Sequence, residues 1–146
     1  MTTPIKLLAA DDDDLSVISA VLQDGLVSFC DMEYLPDERR FVLVINRFCW
    51  ENGAKVGSEA GGFERVHCGV CFDGVTAARY RNLDRKNRTQ VLELLAIKAE
   101  DNFVDLLFAG RGRVRLEVDD ILCHVQDLDE PWPTQWRPHH AVADEA

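Results

Sequence analysis

The sequence predicts an α+β fold: a curved, mostly antiparallel sheet of about six to seven strands, a helix in the N-terminal region and a short C-terminal helix. Three stretches carry this reading. Residues 39–51, RRFVLVINRFCWE, form an apolar run rich in β-branched and aromatic side chains, as a central strand requires. Phe103 to Phe108 and Arg113 to Asp119 flank Ala109-Gly110-Arg111-Gly112 and form the clearest hairpin in the chain. Leu15, Ile18, Leu22 and Leu26 recur at helical spacing, with Val21 beside them, directly after four aspartates.

A chain of 146 residues fits one domain. The domain is expected over 1–130, with 131–146 as an extended C-terminal tail. No run of 18 apolar residues is present, and the first residues lead into Asp11–Asp14 rather than a leader-like apolar stretch. The expected location is therefore the cytoplasm. Five cysteines, an odd number, then read as free thiols acting as small hydrophobes. The net charge of -10 and the pI near 4.7 argue against nucleic-acid binding, which depends on cations that neutralise phosphates.

Taken in order, residues 5–9 are a strand. Asp11–Asp14 then suit a helix start over 12–26, capping free N–H groups and facing the positive end of the dipole. They lack the alternation, the glycine and the distal glutamate of a calcium loop. Residues 28–34 are a second strand, and Leu35-Pro36-Asp37-Glu38 a turn. On the central strand Phe41, Leu43 and Ile45 share one face, and Val42, Val44 and Phe48 the other, so both faces are expected to be covered. Residues 52–62 are a glycine-rich loop. Residues 66–81 alternate as a long strand that Asp73-Gly74 breaks into a hairpin or bulge. A polar, basic loop over 82–89 and a strand over 90–99 follow. In the hairpin, Gly110 and Gly112 are the residues expected to take positive φ. Ile121, Leu122, Val125 and Leu128 suggest a closing helix over 119–128. The tail is expected to be pinned by Trp132 or Trp136.

Residues with metal or catalytic chemistry do not assemble into a known pattern. Cys68 and Cys71, beside His67, have the spacing of half a zinc site, but the second half would be the adjacent Cys123 and His124. On a strand, residues three apart face opposite sides, so the two thiols should diverge. His139 and His140 lie on the tail, where neighbouring side chains splay apart. There is no nucleophile elbow, no P-loop and no phosphate-binding glycine turn opening a helix, so no cofactor is expected. One cluster stands out in an acidic chain: Arg79, Tyr80, Arg81, Arg85, Lys86 and Arg88, to which Arg111, Arg113 and Arg115 add if the two loops share one end. Arginines beside a tyrosine suit a carboxylate, a phosphate or an acidic protein surface.

The segments KLLAADDDDLSVISAVLQD, YLPDERRFVLVINRFCWE, LLFAGRGRVRLEVDDILCHVQDL, PW and RPHH occur here in that order. In this the chain resembles a bacterial family of small proteins catalogued only as a domain of unknown function. The resemblance spans nearly the whole chain, except Cys68-Gly69-Val70-Cys71. It implies no activity, cofactor or site residue. A small barrel of the pleckstrin-homology kind is one form such a strand pattern can take, by analogy alone. The functional expectation is a non-catalytic binding or adaptor module that uses the basic loop or a sheet edge. A small enzyme whose site forms only in three dimensions is the alternative.

Overall fold

The computed structural model describes residues 5–48, 64–128 and 132–133. Strand β1 (Lys6–Ala9) leads into helix α1 (Asp12–Leu22), β2 (Leu26–Ser28), a 3-10 turn at Phe29–Asp31 and β3 (Met32–Leu35). Then come β4 (Arg40–Phe48), β5 (Glu64–Asp73), β6 (Val75–Arg81), β7 (Val91–Glu100), β8 (Phe103–Phe108) and β9 (Arg113–Val118). β10 (Cys123–Asp127) and the two-residue β11 (Trp132–Pro133) complete the described elements. The strands bond in the order β1-β10-β5-β4-β2-β7-β8-β9-β6, with β3 also on β4 and β11 on β5. Phe48 and Trp132 as side chains, the 52–62 loop, Trp136 and His139–His140 lie outside the described residues.

Helix α1 starts where the aspartates predict. Asp11 accepts from the Asp14 N–H at 2.8 Å, and Asp14 accepts from the Ala10 N–H at 3.4 Å, a reciprocal cap. The helix buries Leu15, Ile18 and Leu22 and stops there, short of the expected residue 26. The reason is Gly25. A Cβ on it would lie 2.6 Å from Ile45 Cδ1 and 2.9 Å from the Leu22 carbonyl, so the chain passes against the sheet here. The Gly25 N–H still donates to the Leu22 carbonyl, but its own carbonyl accepts from the Leu94 N–H of the sheet, and the Asp24 N–H donates to the Leu94 carbonyl. Ser19 of the helix caps the sheet directly, its Oγ accepting from the Ile97 N–H at 2.8 Å.

β4 is central, with β5 along one edge and β3 and β2 along the other. Only one of its faces is fully buried: Phe41, Leu43, Ile45 and Arg47 point into the core, while Val42, Val44 and Asn46 are half-buried. The expectation of two covered faces is thus corrected. Arg47 is fully buried because it meets Asp127 of β10, Nε to Oδ1 and Nη2 to Oδ2 both at 2.9 Å. Burial opposes the charge on Asp127, but the hydrogen bonds from Arg47 and from the Ile5 N–H outweigh it and hold the carboxyl below its usual range.

Three further expectations change. The strand count is eleven among the described residues, because the 28–34 and 66–81 segments each contain two strands and β10 and β11 add two more. Gly74, at φ 71°, is not a hairpin turn, and a bulge-like register shift follows it between Val75 and Ala77. Gly74 is a corner: β5 stays with β4 and β10, and β6 crosses to β9. The C-terminal helix is β10, in which Cys123 and Val125 are buried while His124 and Gln126 are exposed. The helical spacing of Ile121, Leu122, Val125 and Leu128 is outweighed by the unpaired edges of β1 and β5, which β10 fills. The path from β1 to β6 does not return on itself, so backbone pairing does not close a barrel.

Candidate anion-binding site

The antiparallel register of β6 and β9 sets Arg79 opposite Arg115 and Arg81 opposite Arg113. Like charges directly opposite one another weaken a sheet, so each pair needs compensation or a use. Arg115 is compensated by a two-point bond to Asp105, at 2.8 and 2.9 Å, and lies 4.6 Å from the Phe103 ring centroid. Arg79 reaches Glu117 at 3.7 Å. Arg81 and Arg113 form no ion pair among the described residues.

Two loops extend this end of the sheet, and hydrogen bonds hold them together. The Asn82 amide donates to the Arg111 carbonyl at 3.0 Å. Leu83 packs so closely on Gly112 that a Cβ there would lie 2.5 Å from Leu83 Cδ2. Gly112 is therefore kept small by contact, at φ -68°, and the residues with positive φ are Gly110 and Arg111. The 82–90 loop is also tied to the 3-10 turn, since Cys30 and Phe29 donate their N–H groups to the Arg88 and Gln90 carbonyls, both at 2.9 Å. Gln90 closes the loop with bonds to the Asp84 and Asn87 carbonyls.

This scaffold places two guanidinium groups on two aromatic rings. Arg85 lies 4.6 Å from the centroid of Tyr80, and Arg88 lies 5.4 Å from that of Phe29. The rings meet edge to face, with centroids 6.0 Å apart. A stacked guanidinium keeps its in-plane N–H groups free for an anion. Burial, the largest effect, raises the pKa of Tyr80 despite Arg85 and Arg88, so its hydroxyl stays a donor at neutral pH. It has no hydrogen-bond partner among the described residues. Within 81–89 and 109–113 stand Arg81, Arg85, Lys86, Arg88, Arg111 and Arg113, against the single carboxylate Asp84.

Of the residues expected from sequence, Arg81, Arg85, Lys86 and Arg88 gather at this end with Arg111 and Arg113, while Arg79 and Arg115 are engaged by Glu117 and Asp105. Phe29 is the member that sequence reading missed. It sits fifty residues upstream, and nothing local marks it. The opposite end of β8 and β9, six-residue strands spanning about 20 Å, is acidic. There Asp11, Asp12, Asp13, Asp101, Asp119 and Asp120 line an open cleft of about 750 Å³. Among the described residues no group of three or more His, Cys, Asp or Glu is placed to hold a metal.

The thiols lie elsewhere. Cys68 faces the core, and burial pushes its thiol up to about 12. Cys71 faces the other side, and burial followed by the nearby Asp73 raises it too. Asp73 accepts from Arg40 at 2.7 Å, lies 3.0 Å from His124 Nε2 and 4.0 Å from Cys71 Sγ. In this cluster the Cys71 thiol is biased away from the reactive thiolate. The cluster's evident role is to clasp β4, β5 and β10.

No helix among the described residues is long and apolar enough to cross a membrane. A family model described as "Protein of unknown function (DUF2948)" matches residues 5–140. No curated protein and no solved structure matches the chain.

Proposed function

We propose that this chain, which belongs to the family of proteins of unknown function DUF2948, is a non-catalytic binding module whose basic end takes an acidic group on a partner protein. One observation carries the reading: Arg85 and Arg88 are stacked on Tyr80 and Phe29, beside the unneutralised cross-strand pair Arg81 and Arg113. Aligning like charges on a ladder costs stability unless an anion supplies the missing charge, and the favourable stacking on Tyr80 and Phe29 holds the Arg85 and Arg88 guanidinium groups in place to receive one. The overall charge of -10 favours a compact anionic group over a long polyanion, because a nucleic acid running past this end would meet repulsion. A carboxylate or phosphate would be held by the guanidinium N–H groups and by the Tyr80 hydroxyl.

The test is affinity capture from native lysate with the wild type and with Arg81→Glu/Arg85→Glu/Arg88→Glu. Partners held by the basic end should be recovered at low salt, weaken as salt rises, and be absent with the triple variant. Recovery of the same partners by both proteins would sink the reading.

A further inference from the structure

Among the described residues β6 pairs with β9 along one edge only. The direction of its free groups follows from the register. Val118 and Phe108–Gly112 bonds show that the even-numbered residues of β9 turn their backbone groups toward β8. Along an antiparallel strand this direction alternates. Glu117, Arg115 and Arg113 therefore turn theirs toward β6, where they meet Ala77, Arg79 and Arg81. Ala78 and Tyr80 turn their N–H and C=O groups the other way, to the open edge. None of these four groups has a hydrogen-bond partner among the described residues.

Across that edge lies β3, which among the described residues pairs only with β4. Two side-chain contacts span the gap: Tyr34 Oη of β3 donates to the Val75 carbonyl at 3.0 Å, and Phe29, in the 3-10 turn before β3, meets the Tyr80 ring. The two strands do not pair with each other. A whole tyrosine side chain bridges them at the Val75 end, whereas laddered strands lie about 4.8 Å apart. The sheet thus has a seam, bridged at Val75 by Tyr34 and at Tyr80 by the Phe29 ring, along which the Ala78 and Tyr80 backbone groups are unpaired among the described residues. The cations stand at its Tyr80 end, and Arg79 and Arg81 are exposed along the edge strand.

We infer that the partner of the basic end is an extended segment with alternating acidic and apolar residues, which adds to β6 as a further strand along Ala77–Arg81. This rests on the basic-end reading above and names its partner. An added strand would bond the Ala78 and Tyr80 backbone groups, as in recognition by β-augmentation. Cross-strand pairing would set its outer residues beside Arg79 and Arg81, where acids are favoured, and its inner residues beside Ala78 and Tyr80, where small apolar groups fit. Charges on a free edge commonly keep other strands away. Here Arg81 has no ion pair among the described residues and Arg79 is offset only by the exposed Glu117, 3.7 Å away, so the edge repels basic strands and admits acidic ones.

Two capped hexapeptides of one composition test this: acetyl-Glu-Val-Glu-Val-Glu-Val-amide and acetyl-Glu-Glu-Glu-Val-Val-Val-amide. Affinities are read by NMR titration, with amide hydrogen exchange followed at Ala78 and Tyr80. The alternating peptide should bind about tenfold tighter than its block isomer and slow exchange at both amides. Ala78→Pro removes a free N–H without touching the β9 ladder, a position where an edge strand tolerates proline. It should reduce the alternating peptide to the block level and leave block binding unchanged. Equal affinities, unaltered exchange at both amides, or an Ala78→Pro variant that binds like the wild type would each overturn the inference while leaving the basic-end reading intact. Failure of both peptides to bind would remove both. Should Ala78→Pro not fold, the wild-type exchange and the affinity ratio decide alone.

Discussion

Asp127→Asn should be among the most damaging conservative changes this chain can suffer. Arg47 is 0% exposed and the Asp127 side chain 3%, so neither charge is solvated and the two bonds between them carry weight. Asparagine keeps the shape but removes the negative charge, leaving the buried guanidinium without the anion that Asp127 supplies. Removing one partner of such a pair costs about 3–5 kcal/mol. For a domain of this size, 3 kcal/mol corresponds to a fall in Tm of about 6–12 °C. Urea unfolding at pH 7 measures it directly. The pH dependence provides a second check. Asp127 is held below its unfolded value of about 3.9, so its contribution is complete above that pH and is lost as pH falls through the lower, folded value. The gap between wild type and variant should therefore narrow below about pH 4. Replacing both partners, as Arg47→Met/Asp127→Leu, should cost less than either single change. A single-variant loss under about 1 kcal/mol at pH 7, or a gap that does not narrow in acid, would refute this account of the pair.

Other outcomes follow from the same packing. Ile45→Asp places a charge at a site of 0% exposure and should cost more than about 4 kcal/mol or prevent folding; a melt like that of the wild type would show that Ile45 does not face the core. Gly25→Ala should cost about 1–3 kcal/mol in denaturant unfolding, because the Leu22 carbonyl, at 2.9 Å from the new Cβ, belongs to the helix and cannot turn aside. The triple reversal of Arg81, Arg85 and Arg88 should leave a folded protein that is less stable by about 1–2 kcal/mol, the worth of two cation–π contacts. Circular dichroism and thermal melting would show whether it unfolds, which would make those arginines structural.

Local pattern made much of this architecture readable. Asp11–Asp14 announce the helix start, and the Phe103–Val118 hairpin and the central β4 follow from alternation and turn chemistry. What eluded sequence depends on distant partners. Arg47 reads as a solvated arginine until Asp127, eighty residues away, is brought to it by β10. Residues 123–127 have apolar spacings that fit either a helix or a strand, and only the vacant edges of β1 and β5 decide. The basic cluster could be read from composition at 79–88. Its order could not, because Phe29 and the Arg111 carbonyl come from other parts of the chain. Gly112 carries the same lesson: its small size answers to Leu83 rather than to backbone freedom.

The most direct test of the basic end is an NMR titration of the wild type and the Arg81→Glu/Arg85→Glu/Arg88→Glu variant with capped hexaglutamate at low and physiological salt. Shift changes in the wild type should concentrate at Phe29, Tyr80, residues 81–88 and 111–113, shrink as salt screens the charges, and vanish in the variant. Changes centred elsewhere on the molecule, or an equal response from the folded variant, would contradict the account.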